Sequence, residues 1–139
     1  MKVKSKWLGN MAFESELNGH KIIIDADKEF GGDDKGPRPK GLLLVALMGC
    51  TGMDVVSLLK KMNVPITKYE MEVETETTDE HPKVYKDIKL VYKFWGKDLE
   101  NYKENIEKAI NLSQEKYCGV SAMLKKNSNI IWSYEMMNE

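Results

Sequence analysis

Residues 40–61 read KGLLLVALMGCTGMDVVSLLKK, and no charge interrupts the run between Lys40 and Asp54. Pro39 suits the first turn of a helix, Lys60 and Lys61 complement the negative end of its dipole, and Asn63 with Pro65 stops it. A bilayer span needs about 20 mainly apolar residues, whereas Gly49, Thr51, Gly52 and Asp54 interrupt a segment that barely reaches that length. The reading that remains is a soluble helix apolar on almost all sides, which must be covered on almost all sides. One layer of sheet from 139 residues cannot do that. A second copy of the chain is therefore expected to complete the cover, with Ala46, Gly49, Cys50 and Met53 forming a face small enough for close helix approach.

The rest of the chain supplies the sheets. Asn18-Gly19 tolerates the positive φ angles of a type I′ turn, so residues 11–17 and 20–26 should pair as a hairpin. Val3, Ser5 and Trp7 alternate with Lys4 and Lys6 at the period of a strand. Between Asp27 and Pro39 the composition turns to Gly31, Gly32, Asp33, Asp34, Gly36 and two prolines, which reads as a mobile loop. Beyond the apolar helix, Tyr69, Met71, Val73, Thr75 and Thr77 alternate with four glutamates, and Asp79 to Pro82 makes a turn. The return strand places Ile88, Leu90, Tyr92 and Phe94 inward and Lys89 and Lys93 outward, so a lysine row can face the glutamate row across the ladder. Leu99, Tyr102, Ile106, Ala109, Ile110 and Tyr117 trace a helical stripe with Asp98 as its N-cap. Cys118-Gly119 breaks it, residues 120–124 make a short helical turn, and Ile130, Trp132, Tyr134 and Met136 alternate as a last strand.

Length and composition set outer bounds. A chain of 139 residues is one domain, 1–139, with no internal repeat. Twenty-one Lys and Arg against 22 Asp and Glu leave a net charge of −1, and 31% charged with 42% hydrophobic residues is ordinary for a soluble globular protein. No nucleic-acid partner and no membrane surface is expected from that balance. The first seven residues alternate charge with apolar side chains and lack the continuous apolar stretch of a targeting segment, so the cytoplasm is the expected compartment and a disulfide scaffold is not expected. All the basic residues are Lys except Arg38, the one planar cationic fork available for binding an oxyanion.

Among the residues able to carry chemistry, His20, Cys50, His81 and Cys118 make a zinc inventory, but neighbouring members lie 30 or more residues apart. Structural zinc sites take ligands in tight pairs, so no metal is expected. The nucleotide fingerprints G-x-G-x-x-G and G-x-x-x-x-G-K-[ST] are missing, as is a serine elbow, and no cofactor is expected. The cysteines remain. Either one alone reads as a small buried apolar group. Their contexts say more: Gly49-Cys50-Thr51-Gly52 surrounds one sulfur with minimal side chains in a bulky helix, leaving room for a ligand or another sulfur, and Lys116-Tyr117-Cys118-Gly119 puts the other at a helix end.

The segment GPRPKGLLLVALMGCTGMDVVSLL over residues 36–59, together with SQEKYCGVSAML over residues 113–124, resembles the OsmC/Ohr family, and within it the YhfA-like branch. The resemblance implies an α+β fold in which two chains intertwine as a homodimer, antiparallel sheets wrapping two central cysteine-bearing helices. It implies a thiol-dependent peroxidase acting on organic hydroperoxides at the dimer interface, with Cys50 the peroxidatic thiolate, Cys118 the resolving thiol and an external dithiol as reductant. A thiolate attacks the peroxide bond and becomes a sulfenic acid, which a second thiol converts to a disulfide. The sequence departs from the peroxidase members at the helix start. They read Asn-Pro-Glu, the glutamate orienting an arginine that stabilises the thiolate. Lys40 stands at the glutamate position, and the early strands carry Lys2, Lys4 and Lys6 but no arginine. Arg38 and Asp54 are the candidates for thiolate tuning or substrate binding. Arg38 precedes Cys50 by twelve residues, about 18 Å along a helix, and would reach it only through a folded-back loop or from the partner chain. Asp54, one turn after Cys50, would raise the pKa of the Cys50 thiol if it is ionised and close. The competing reading is a non-catalytic protein of this fold that binds an acyl or aromatic ligand.

Overall fold

The computed structural model describes residues 1–139. They fall into two compact units, residues 1–45 and 46–139.

The first unit is a three-stranded antiparallel sheet: β1 (Lys4–Gly9), β2 (Ala12–Leu17) and β3 (His20–Ile24), in that order. The hairpin forms where Asn-Gly requires it, with Asn18 at φ 52° and Gly19 at φ 79° and Leu17 paired to His20. The segment after β3 is ordered, which corrects the expectation of a mobile loop. Asp25, 2% exposed, accepts the amide N–H groups of Ala26 at 2.7 Å, Lys35 at 3.1 Å and Asp33 at 3.2 Å. The chain is thus gathered around one carboxylate, and the Lys35 amide, ahead of the others, holds that carboxyl below its ordinary range. Gly32 and Gly36 let the loop return against the Ala26 and Ile23 carbonyls, where a Cβ would collide.

Helix α1 (Gly41–Lys61) begins in the first unit and continues into the second. At 21 residues, with a mean hydropathy of 2.1 over its most apolar 18, it meets the length and composition of a membrane span, so the length argument against one fails. Its inward stripe, Leu47, Thr51, Val55 and Leu59, is wholly buried within the protein.

In the second unit β4 (Ile66–Thr77) and β5 (Tyr85–Gly96) pair antiparallel, and β6 (Ile130–Met137) lies beside β5 in parallel, so this sheet is mixed. The direction of β6 follows from its connection, a crossover through α2 (Lys103–Leu112) and α3 (Gly119–Leu124) instead of a hairpin. Val55 and Leu59 of α1, Leu90, Tyr92 and Phe94 of β5, and Ile106, Ala109 and Ile110 of α2 form the core, all at 0% exposure. Tyr69 stacks on Phe94 with ring centroids 4.8 Å apart. On the outer face of the sheet Glu70 pairs across to Lys93 and Glu74 to Lys89, and Lys93 Nζ lies 2.8 Å from Glu72.

Two expectations about the second helix need correction. Asp98 sits at φ 55° without a side-chain cap bond, because an aspartate tolerates the left-handed corner that ends β5. The helical stripe also does not run unbroken to Tyr117: a 3₁₀ turn (Leu99–Tyr102) opens it, and α2 gives way to a π-turn (Ser113–Tyr117) closed by Cys118 N–H on the Ser113 carbonyl.

Candidate functional site

Helix α1 carries Cys50, half-buried, and the chain between the π-turn and α3 carries Cys118, 3% exposed. Although 68 residues separate them in sequence, the fold brings their segments together: the Cys118 N–H bonds the Ser113 carbonyl at 2.8 Å, and the Ser113 hydroxyl lies 2.7 Å from that of Thr51, the neighbour of Cys50. Cys118 adopts an extended conformation and caps α3, its Sγ accepting the Ser121 N–H at 3.3 Å. Burial pushes the Cys118 thiol up to about 11. The Ser121 amide opposes this, while the Cys50 hydrogen bond, the Cys50 charge and the Asp54 carboxylate add to it. At neutral pH Cys118 is therefore a protonated thiol.

A continuous chain of buried polar groups lies beneath this pair. Asp54, one turn beyond Cys50, accepts from Ser113 Oγ at 2.9 Å. Ser113 Oγ is 2.7 Å from Thr51 Oγ1, which is 2.6 Å from Tyr92 OH. Tyr92 OH accepts from Gln114 Nε2 at 2.8 Å, and Gln114 Oε1 accepts from Ser121 Oγ at 2.6 Å. Every buried side-chain polar atom has a partner. Burial raises the Tyr92 phenol above its ordinary value, so it stays a neutral hydroxyl.

Cys50, Cys118 and Asp54 are thus brought together in the second unit. The Asp54 charge raises the Cys118 thiol, whereas the expectation from the sequence is for Cys50. Arg38 lies in the ordered loop of the first unit, where Nη1 donates to Asp34 Oδ1 and the Gly36 carbonyl, both at 2.8 Å, and Nη2 stands 3.5 Å from Asp27 Oδ2. Those two carboxylates already balance its charge. Gly49 is open on its outer side, whereas Gly52 is filled by the Met71 and Tyr69 side chains, so the glycine pair flanking Cys50 leaves room on one side only. Thr51, Tyr92, Ser113, Gln114 and Ser121 were not singled out as site residues in the sequence. The available signal was a polar Thr51 in an apolar helix and Ser113-Gln114 just before the Cys118 motif.

A family model described as OsmC-like protein matches residues 32–133. The Escherichia coli (strain K12) protein YhfA is 35% identical over 138 residues, 99% of this chain and 98% of that protein. A hypothetical protein from Aquifex aeolicus VF5 superposes with a TM-score of 0.84 at 30% identity, covering 99% of this chain and 96% of that one. The organic hydroperoxide resistance protein OhrB of Bacillus subtilis superposes with a TM-score of 0.66 at 18% identity, over 96% of each chain.

Proposed function

From the premise that this chain belongs to the OsmC-like protein family, we propose that it is a cytoplasmic, homodimeric thiol peroxidase, 1–139 forming one such domain, that reduces organic hydroperoxides with Cys50 attacking and Cys118 resolving. The observation that carries this reading is the closure of the Cys118 segment on the Cys50 turn of α1, Ser113 bonding both Thr51 and Asp54 through its hydroxyl and Cys118 through its carbonyl. The division of labour follows from their surroundings. Cys50 is the more accessible sulfur, and Cys118, kept protonated by burial, offers its S–H to a developing Cys50 thiolate. A hydrogen bond from Cys118 to the Cys50 thiolate would supply part of the stabilisation that a guanidinium gives.

The steps balance as follows. The Cys50 thiolate attacks the hydroperoxide, the O–O bond breaks, Cys50 becomes a sulfenic acid, and the alkoxide leaves as the alcohol after taking a proton. The Cys118 sulfur then attacks Cys50, the S–S bond forms and the sulfenic oxygen departs as water. An external dithiol returns both to thiols by exchange. The apolar surface of α1 supports the dimer: Leu43, Val45, Met53 and Val56 are 43% to 73% exposed in the single chain. A second copy covering that face would also account for an apolar helix outside any membrane.

The test is stoichiometric. Reduced protein mixed with tert-butyl hydroperoxide should consume one equivalent and become two hydrogens lighter per chain, with Cys50 and Cys118 joined. Unchanged consumption in Cys50→Ser would sink the reading. A binding role has one supporting observation, an apolar cleft of about 540 Å³ in the first unit lined by Met11, Phe13, Ile24, Phe30 and Arg38. An acyl or aromatic ligand retained by Cys50→Ser, with no peroxide consumed by the parent, would favour it.

A further inference from the structure

We propose that Gln114 is a positioning residue for the resolving thiol: its amide, clamped between Tyr92 and Ser121, fixes the start of α3 and so holds Cys118 against Cys50. The inference rests on the reading of Cys50 and Cys118 as a redox pair.

The directions of the hydrogen bonds carry it. Asp54 Oδ2 accepts the Ser113 hydroxyl proton. Ser113 Oγ must then accept from Thr51, and Thr51 Oγ1 in turn from Tyr92, because each hydroxyl has one proton to give. Tyr92 has spent its proton and presents a lone pair, so the group facing it must be a donor. At the other end Ser121 Oγ needs an acceptor. A neutral amide offers both, which also fixes which end of Gln114 is nitrogen. The backbone of the same residue is held as well, Lys125 Nζ donating to its carbonyl at 2.7 Å. The π-turn turns both Ser113 and Gln114 into the interior, at 0% and 3% exposure, and ends at Cys118. From Gln114 the path to the sulfur is short: Ser121 is bonded to Gln114 through its hydroxyl and to Cys118 Sγ through its N–H.

The test is the equilibrium of the Cys50–Cys118 disulfide with glutathione, read by mass after acid quenching on the full-length protein. Gln114→Glu keeps the size but replaces the donor facing Tyr92 with an acceptor. At neutral pH the disulfide constant should fall about tenfold, the equivalent of one buried neutral hydrogen bond lost. As the pH falls toward about 4, where the introduced carboxyl, raised by burial above the ordinary glutamate value of about 4.3, carries a proton and can donate to Tyr92 again, the ratio to the parent should return toward one. Ser121→Ala trims one hydroxyl, keeps the amide on Cys118, and should give a smaller loss that does not change with pH. A constant equal to the parent in both variants, a deficit in Gln114→Glu that acid does not reduce, or a parent that forms no such disulfide would each overturn the proposal. A disulfide that responds as described in a protein inert to hydroperoxide would instead remove the peroxidase reading and leave the positioning role standing.

Discussion

Thr51→Val tests the polar chain at its centre. Thr51 has no exposed surface, and its hydroxyl meets Tyr92 OH at 2.6 Å, Ser113 Oγ at 2.7 Å and Gln114 Nε2 at 3.4 Å. Valine has nearly the same shape and a similar helix propensity, so the substitution removes hydrogen-bond partners with little change of volume. Because every proton in the chain points toward Asp54, the loss strands one buried donor, the Tyr92 O–H, at about 1–3 kcal/mol. It also takes the donor away from Ser113, a further cost of roughly 0.5–1.5 kcal/mol. The expected total is about 2–4 kcal/mol, measured by urea unfolding at fixed protein concentration with an unchanged m-value. Tyr92→Phe should cost a similar amount by stranding Gln114 Nε2. The double variant should fall short of the sum of the two by about 1 kcal/mol or more, since the donor orphaned by the first change is absent after the second. A cost below about 0.5 kcal/mol for Thr51→Val, or strict additivity of the pair, would refute the directional chain.

Met53 is 73% exposed on α1, so Met53→Glu should leave each chain folded while converting a dimer to monomer in sedimentation; an unchanged mass would argue against α1 as the interface. The raised Cys118 thiol makes a prediction for alkaline stability. Its ordinary value is 9.0 and its folded value about 11, so between these the unfolded chain loses the proton first and folding stability declines as pH rises, by at most about 2–3 kcal/mol. Cys118→Ala should flatten that part of the pH profile, and an identical slope would contradict the assignment. Asp54→Asn should lower the Cys118 value, seen as an acid shift in its alkylation profile, because the Asp54 charge helps to raise it. Gly96→Ala places a Cβ 2.6 Å from the rigid Pro65 carbonyl and should destabilise by about 1–3 kcal/mol. Gly52→Ala meets only the flexible end of Met71 at 2.5 Å and should cost less, a ranking that thermal unfolding of the two variants checks directly.

The sequence made the fold legible wherever a local rule was sufficient. Asn18-Gly19 dictates its own turn, the alternation from Tyr69 to Thr77 dictates a half-buried strand, and an apolar run ended by two lysines and a proline dictates α1. It misled where two local readings compete. Asp98 before an apolar stripe looks like a cap, yet the corner leaving β5 needs a left-handed residue, and aspartate serves there too. Glycine and proline between 27 and 39 looked like mobility because composition records missing side chains. It does not record that one buried carboxylate, Asp25, gathers three amides around itself.

The site divides along the same line. Two cysteines in small-residue contexts can be found by inspection, since their chemistry is carried by the residue type. The groups that orient them cannot, because Tyr92 reads as one more inward aromatic on β5 and Thr51 as an interruption in α1. Their role exists only after β5, α1 and the π-turn have brought Tyr92, Thr51, Ser113 and Gln114 within a single hydrogen-bonded chain. The π-turn is the least legible step of all. Ser113 to Tyr117 continues the α2 sequence without a breaker, and what widens the turn is the satisfaction of buried partners: Gln114 on Tyr92 and Ser121, and Ser113 on Thr51 and Asp54. An α-helical continuation would move Cys118 around the helix axis relative to those bonds. The polar core therefore determines where the second sulfur sits. The buried Cys118 follows the π-turn, whose Ser113 and Gln114 belong to a set of hydrogen bonds that take their direction from Asp54.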